Sequence, residues 1–241
     1  MHILLTGATG LLGQGVAAAC LEDSRVRQLT VLTRRPSGLT GDRVDEHVLA
    51  DFARAADLHD VMKGIDACFY CAGAPPLGTA ETEYRRVTLQ LTLAVARAYA
   101  DANPQGRLLY VSGARSDPRS RLMPLRIKGE TERALQQLPI ITVMLRPGGI
   151  LPADDTRSPH RLLRMLHGLM RPVQGAVLNA VPVLATTNAA IGRAMLTLAR
   201  MPAPPRVVEC DDINRLAAAW KQGGAPLAPF PACSCPRSAS K

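Results

Sequence analysis

Ile3-Leu4-Leu5-Thr6-Gly7-Ala8-Thr9-Gly10-Leu11-Leu12-Gly13 decides the fold. An apolar run of strand length, His2 to Thr6, enters three glycines spaced by three, and an apolar helical pattern continues from Leu11 to Asp23. A strand that turns at once into a helix needs a tight turn at Gly7, bare backbone that a phosphate can approach at Gly10, and close helix packing at Gly13. The unpaired N–H groups and positive dipole end of the helix then face an anion. A second β-like run, Leu29 to Thr33, follows at the distance a βαβ unit requires. The stretch therefore predicts a dinucleotide site, with the pyrophosphate on Gly7, Thr9, Gly10, Leu11, Leu12 and Gly13.

The same alternation of short apolar runs and longer helical patterns recurs downstream, as it does in right-handed βαβ units feeding a parallel sheet. Further strands are expected at His47 to Ala50, Ala67 to Ala72, Arg107 to Ser112 and Ile140 to Leu145. Helices are expected at Ala55 to Lys63, Glu81 to Ala102 and Leu125 to Gln137, with Pro104 and Pro139 as stops. The fold class is α/β, a Rossmann-type doubly wound parallel sheet with a small C-terminal lobe. Residues 1–150 form the dinucleotide-binding core. Residues 151–222 form a lid or substrate lobe, with a basic amphipathic stretch His160 to Arg171, a helix Asn188 to Arg200, a returning strand Arg206 to Cys210 and a helix Arg215 to Gln222. From residue 223 onward the Pro/Gly/Ala composition predicts a flexible tail.

The 241 residues carry a net charge of +9, with 47% hydrophobic and 20% charged residues, which suits one packed soluble domain. Aromatic residues make up only 3% and the arginines are dispersed, so no nucleic-acid surface is read from the charge. No stretch reaches the ~20 uninterrupted apolar residues of a membrane span. Nothing between Met1 and Thr6 resembles an export signal, and the expected location is cytoplasmic. The six cysteines are read as free thiols. Cys68 and Cys71 fall three apart in a strand and so face opposite ways. Cys233 and Cys235, like His160 and His167, lack the further ligands of a metal site, and no metal is expected.

The end of the second strand reads Thr33-Arg34-Arg35-Pro36. A fold selecting NAD usually carries a carboxylate there for the ribose hydroxyls. Two guanidiniums can grip a 2′-phosphate bidentately, which favours NADP, with NAD as the alternative.

These residues, with Asp51 after the third strand, Cys71-Ala72-Gly73 after the fourth, Val111-Ser112-Gly113 ending the fifth, Lys128-Gly129-Glu130 and Leu145-Arg146-Pro147-Gly148, resemble the short-chain dehydrogenase/reductase superfamily in its NAD-dependent epimerase/dehydratase-like branch. The resemblance covers residues 1–215. It implies that Asp51 and Phe52 flank the adenine, that Ala72 and Gly73 border a ribose, and that Pro147 to Ile150 border the nicotinamide. Catalysis in the superfamily uses a serine, a tyrosine and a lysine, and Ser112 and Lys128 fit the first and last. The tyrosine position, four before the lysine, is Pro124, which has nothing to ionise. Three readings stay open: an NADP(H)-dependent oxidoreductase or epimerase-like enzyme whose proton comes from Lys128 itself, Tyr84 or water; a non-catalytic NADP(H)-binding redox sensor acting through a protein partner; and an assembly role with a vestigial site. Ser112 either positions a substrate oxygen or merely satisfies backbone groups at a strand end. The substrate is an unspecified small molecule.

Arg115, Arg119, Arg121 and Arg126 crowd the segment between Ser112 and Lys128, and suggest an acidic substrate or partner, or else a solvated loop. Helix 81–102 has apolar residues on two faces, Val87, Leu91 and Val95 on one and Leu89 and Leu93 on the other. Either a homodimer packs there or the chain's own loops cover it.

Overall fold

The computed structural model describes residues 1–153 and 185–221. The stretch His160 to Arg171, with His160 and His167, and the tail from 223 with Cys233 and Cys235 lie outside the described residues. Seven parallel strands form the main sheet in the order β3-β2-β1-β4-β5-β6-β9. They are β1 (His2–Thr6), β2 (Gln28–Thr33), β3 (Val44–Val48), β4 (Ala67–Tyr70), β5 (Arg107–Val111), β6 (Ile141–Arg146) and β9 (Val207–Glu209). Between β6 and β9 in sequence, β7 (Gly149–Leu151) and β8 (Ala185–Thr187) pair as a separate parallel ribbon that the sequence patterns did not announce. This is a doubly wound Rossmann sheet: the order reverses between β1 and β4, and the crevice at that switch point is where such sheets bind ligands.

Strand alternation sends Leu5, Val31, Phe69, Leu109 and Leu145 to one face and Leu4, Leu32, Cys68, Tyr70 and Tyr110 to the other. The first face is covered by α1 (Leu11–Glu22), α6 (Asn188–Arg200) and α7 (Cys210–Lys221), whose Val16, Ile191, Met195, Ile213 and Leu216 share its core. The second lies under a 3-10 turn (Phe52–Leu58) continued by α2 (His59–Met62), then α3 (Glu81–Arg85), a π stretch (Arg86–Leu91), α4 (Thr92–Ala102) and α5 (Met123–Leu135). Cys68 and Cys71 are free thiols packed on opposite faces, as the strand reading required. The second apolar face of helix 81–102, Leu89 and Leu93, is half-buried, with Leu93 packed against the chain's own core. No helix among the described residues is long and apolar enough to cross a membrane.

Helices α1 and α6 meet backbone to backbone. A Cβ on Gly15 would stand 2.5 Å from Cγ of Asn188, and one on Gly192 would stand 2.8 Å from Cβ of Ala19. The Asn188 amide donates to Leu11 O at 2.8 Å, while its carbonyl oxygen accepts from Ala153 N at 2.8 Å. A second tie closes the far end of α1. Asp23, 2% exposed at its side chain, accepts from Arg25 at 2.7 and 2.8 Å, from Arg200 at 3.4 Å and from Trp220 Nε1 at 3.2 Å.

Several expected boundaries move, for local reasons. β3 runs over Val44–Val48 rather than His47 to Ala50, because its register pairs Leu29 with Val44 and Thr33 with Val48. β4 stops at Tyr70 because Cys71 and Ala72 turn their N–H groups to Thr6 Oγ1 instead of a neighbouring strand. The helix expected from Ala55 begins three residues earlier as a 3-10 turn, capped by the Asp51 carboxylate on Ala53 N at 3.0 Å. Pro124 sits in the first turn of α5, where its missing N–H costs no bond, so this helix starts ahead of the expected Leu125. α7 begins at Cys210 rather than Arg215, with Asp211 and Asp212 in its first turn, where carboxylates oppose the helix dipole favourably.

Candidate functional site

The loops leaving β1, β2 and β4 converge at the switch point. Thr6 Oγ1, buried, accepts from the N–H of Cys71 at 3.2 Å and of Ala72 at 3.4 Å, which draws the end of β4 onto the end of β1. Gly7 then takes φ +77°, and a Cβ there would lie 2.6 Å from Ala72 N and Cys71 C. Only glycine meets both demands, the left-handed backbone and the absent side chain. Gly10 caps α1 without any side-chain acceptor, leaving the first-turn N–H groups open. A Cβ on Gly13 would come within 2.0 Å of Gly7 O, so this glycine packs the helix against the turn itself rather than against the strand.

One cleft is lined by Gly7, Thr9, Gly10, Thr33, Arg34, Arg35, Phe52, Tyr70, Cys71, Ala72, Gly73, Val87 and Leu91. It gathers eight of the residues expected from sequence: Gly7, Thr9, Gly10, Arg34, Arg35, Phe52, Ala72 and Gly73. Thr33 Oγ1 donates to Arg35 O at 2.7 Å and so fixes the bend that puts two exposed guanidiniums at the mouth. Leu11, Leu12 and Gly13 lie in the first turn of α1 behind the lining, and Leu11 is 43% exposed. Asp51 is exposed and outside the lining, its carboxylate engaged as a cap. Pro147 is joined to the β5 loop through Ala114 N→Pro147 O at 2.9 Å, and Gly148 stands beside Cys210. Thr33, Tyr70, Cys71, Val87 and Leu91 were not anticipated; Val87 and Leu91, four apart, were read only as part of one apolar helical face.

Beyond the end of β5, Ser112 is 2% exposed, its hydroxyl 3.0 Å from Ser116 Oγ, which donates in turn to Gly113 O at 2.7 Å. Lys128, half-buried on α5, donates from Nζ to Ser112 O at 2.6 Å, and Nζ lies 3.4 Å from where a Gly113 Cβ would stand. Loss of solvent pulls its ammonium down to about 8, only partly resisted by Glu132 one turn on. Glu132 is itself neutralised by Arg146 at 2.6 and 3.0 Å. Arg115, in the same loop, holds φ 60°, the one non-glycine positive φ among the described residues.

All four tyrosines are at most 2% exposed. Tyr99 donates to Ile65 O at 3.0 Å, the Tyr70 and Tyr110 rings lie 6.1 Å apart, and Tyr84 is shut in beside Thr88. Burial raises the pKa of each. The arginine-rich segment is also less free than its sequence suggests. Arg126 pairs with Glu81 at 2.8 Å and reaches the carbonyls of Ser120 and Arg121, so it takes no part in any exposed basic patch.

Residues 3–125 match the NAD dependent epimerase/dehydratase family. The chain belongs to that family. Leucinostatins biosynthesis cluster protein T of Purpureocillium lilacinum is 28% identical over 141 residues, 57% of this chain and 52% of its own length, so this epimerase/dehydratase-family chain spans about half of that relative. Among solved structures, MoeE5 in complex with UDP-glucuronic acid and NAD is 20% identical with a TM-score of 0.65, covering 92% of this chain and 83% of that one. A short chain dehydrogenase from Burkholderia cenocepacia in complex with NADP is also 20% identical, with a TM-score of 0.60, covering 92% and 94%. At those identities the likeness is one of fold. The epimerase/dehydratase match ends at residue 125, so Lys128 and the segment Arg146-Pro147-Gly148 lie beyond it.

Proposed function

We propose that the chain is an NADP(H)-dependent oxidoreductase of this family that acts on a small carbonyl or alcohol. The observation that carries the reading is the meeting of the glycine turn and two guanidiniums in one cleft, with Gly7, Gly10, Arg34 and Arg35 in its lining. The turn after β1 and the loop after β4 are uncovered at their glycines. A Cβ on Gly10 would meet only Gly7 O at 3.4 Å, and one on Gly73 would meet nothing within 4 Å, so the backbone at both points lies bare to a ligand.

Gly7, Thr9 and Gly10, with the first-turn N–H groups of Leu11, Leu12 and Gly13, would hold the pyrophosphate. Arg34 and Arg35 would take the 2′-phosphate, and Phe52 and Asp51 would flank the adenine. Ala72 and Gly73 would border the ribose, Lys128 the nicotinamide ribose, and Pro147 and Gly148 the ring. The reduced nicotinamide, when bound, supplies hydride. Ser112 would set the substrate oxygen. Neighbours of the same fold carry either nucleotide, NADP in the Burkholderia dehydrogenase and NAD in MoeE5, so the choice of NADP rests on Arg34 and Arg35.

The competing reading is a redox sensor without turnover, favoured by Pro124 in the tyrosine position and by four tyrosines locked in the core. Titration of the full chain with NADPH and NADH, followed by NADPH oxidation against a panel of aldehydes, ketones and quinones, separates the two. The expected result is tighter NADPH binding, with Arg34→Ala/Arg35→Ala weakening it by about 10- to 100-fold and leaving NADH within about threefold, since the two exposed guanidiniums together should contribute roughly what one charged hydrogen bond does, ~1.5–3 kcal/mol. Binding without turnover on any panel member selects the sensor, and tighter NADH binding removes the NADP assignment.

A further inference from the structure

We propose that Lys128 Nζ is the general acid of this site, donating the proton that the tyrosine of related enzymes would give; the inference rests on the oxidoreductase reading above. Among the described residues the candidates beyond the end of β5 are few. Tyr70, Tyr84, Tyr99 and Tyr110 are buried at 0–2% exposure, and burial raises the pKa of every phenol, that of Tyr70 in the cleft lining included. Position 124, one turn ahead of Lys128, is a proline. The Ser112 hydroxyl, shared with Ser116, can orient an oxygen, but an alcohol is too weak an acid to supply the proton. Lys128 remains, half-buried, with Nζ placed against the Ser112-Gly113 backbone that extends β5 beside the cleft wall at the end of β4.

Only one of its donors is spent, on Ser112 O at 2.6 Å. An ammonium has three. The charged group that faces it is Glu132 on α5, itself paired with Arg146 of β6. Desolvation brings the amine down to about 8, near the optimum for proton transfer at cellular pH. With a reduced dinucleotide bound to supply hydride, the carbonyl carbon would gain it and the C=O π pair would move to oxygen. A Lys128 N–H bond breaks as the new O–H bond forms, leaving an alcohol, oxidised dinucleotide and a neutral amine that regains its proton from water.

The test uses the full chain, wild type, Lys128→Met and Lys128→Arg. The sequence has four lysines, Lys63, Lys128, Lys221 and Lys241, so side-chain ¹⁵N spectra resolve the Lys128 titration without cofactor or substrate. The expected results are a Lys128 midpoint near 8 and a single-turnover reduction rate that falls about tenfold per pH unit above it. Lys128→Met should bind NADPH within about tenfold of wild type yet reduce the best panel carbonyl at least ~100-fold more slowly, the lower end of general-acid contributions. Added methylammonium should restore part of that rate, and Lys128→Arg should lose the alkaline limb. A Lys128 midpoint above 10, a flat pH profile, or a Lys128→Met rate near wild type overturns the proposal while leaving the oxidoreductase intact. Failure of wild type to oxidise NADPH with any carbonyl overturns both.

Discussion

Gly7 and Gly10 stand three residues apart in one turn, yet an added methyl group should do opposite things at each. At Gly7 it would force a β-carbon onto φ +77° and press it 2.6 Å from the Ala72 nitrogen and Cys71 carbonyl carbon, both backbone atoms that cannot swing aside. The left-handed backbone costs about 1–2 kcal/mol. Overpacking adds about 1–3 kcal/mol. The sum, about 2–5 kcal/mol, lowers Tm by on the order of 10 °C in a chain of this size. Gly10 has φ −84° and ψ 161°, ordinary extended values for an N-cap, and its Cβ would meet one atom at 3.4 Å. Replacing glycine by alanine there costs about 0.5–1 kcal/mol as a cap, offset by about 0.4–1 kcal/mol from a stiffer unfolded chain. Gly10→Ala should therefore melt within about 2 °C of wild type. Its methyl projects where a pyrophosphate must approach, so NADPH affinity should fall at least tenfold, about 1.4 kcal/mol. Calorimetry and a fluorescence titration on both variants give the answer. A Gly10→Ala protein that binds NADPH like wild type would refute the assignment of this turn to phosphate.

Two further outcomes follow from buried charge. Burial alone would raise the Asp23 carboxyl, but hydrogen bonds from Arg25 and Trp220 outweigh it and hold the group at about 2 against a usual 3.8. A depressed folded pKa stabilises above the unfolded value and is lost on acidification, so Asp23 should contribute about 2 kcal/mol above pH 4 that disappears toward pH 2. Asp23→Asn should show that loss at neutral pH and a flatter acid limb in urea unfolding. Glu132, 4% exposed at its side chain, is paired with Arg146, so Arg146→Met strands a buried carboxylate and should cost about 3–5 kcal/mol. The double variant Glu132→Leu/Arg146→Met should recover most of it by the same measurement.

What could be read from the chain alone was whatever depends on neighbours in sequence. The turn from Thr6 to Gly13 needs only a strand, a helix and three missing side chains, and the structure reproduces it. Arg34 and Arg35 followed from their place at the end of β2. Helix Asn188–Arg200 matched to the residue because Thr187 caps it and its apolar stripe is regular. What escaped depends on distant partners. The β3 register is set by β2, not by its own mixed sequence Val44-Asp45-Glu46-His47-Val48. The π stretch at Arg86–Leu91 looks helical in any periodicity count, and only the structure shows Val87 and Leu91 turned to the cleft. Arg126 looked free because Glu81, its partner, is 45 residues away.

The close approach of α1 to α6 bears on how the chain is made. The apolar flank of α1, Val16, Ala19 and Cys20, is covered by a helix whose first residue, Asn188, lies 177 positions beyond its Leu11 partner. At ~5–20 residues per second of synthesis, that cover is roughly 10–35 s behind. Throughout that interval the nascent glycine turn opens a helix with one greasy side unclaimed. Release of a stable nucleotide-binding half therefore waits on the last quarter of the chain, and truncation before residue 188 should yield a protein captured by chaperones rather than a smaller soluble domain.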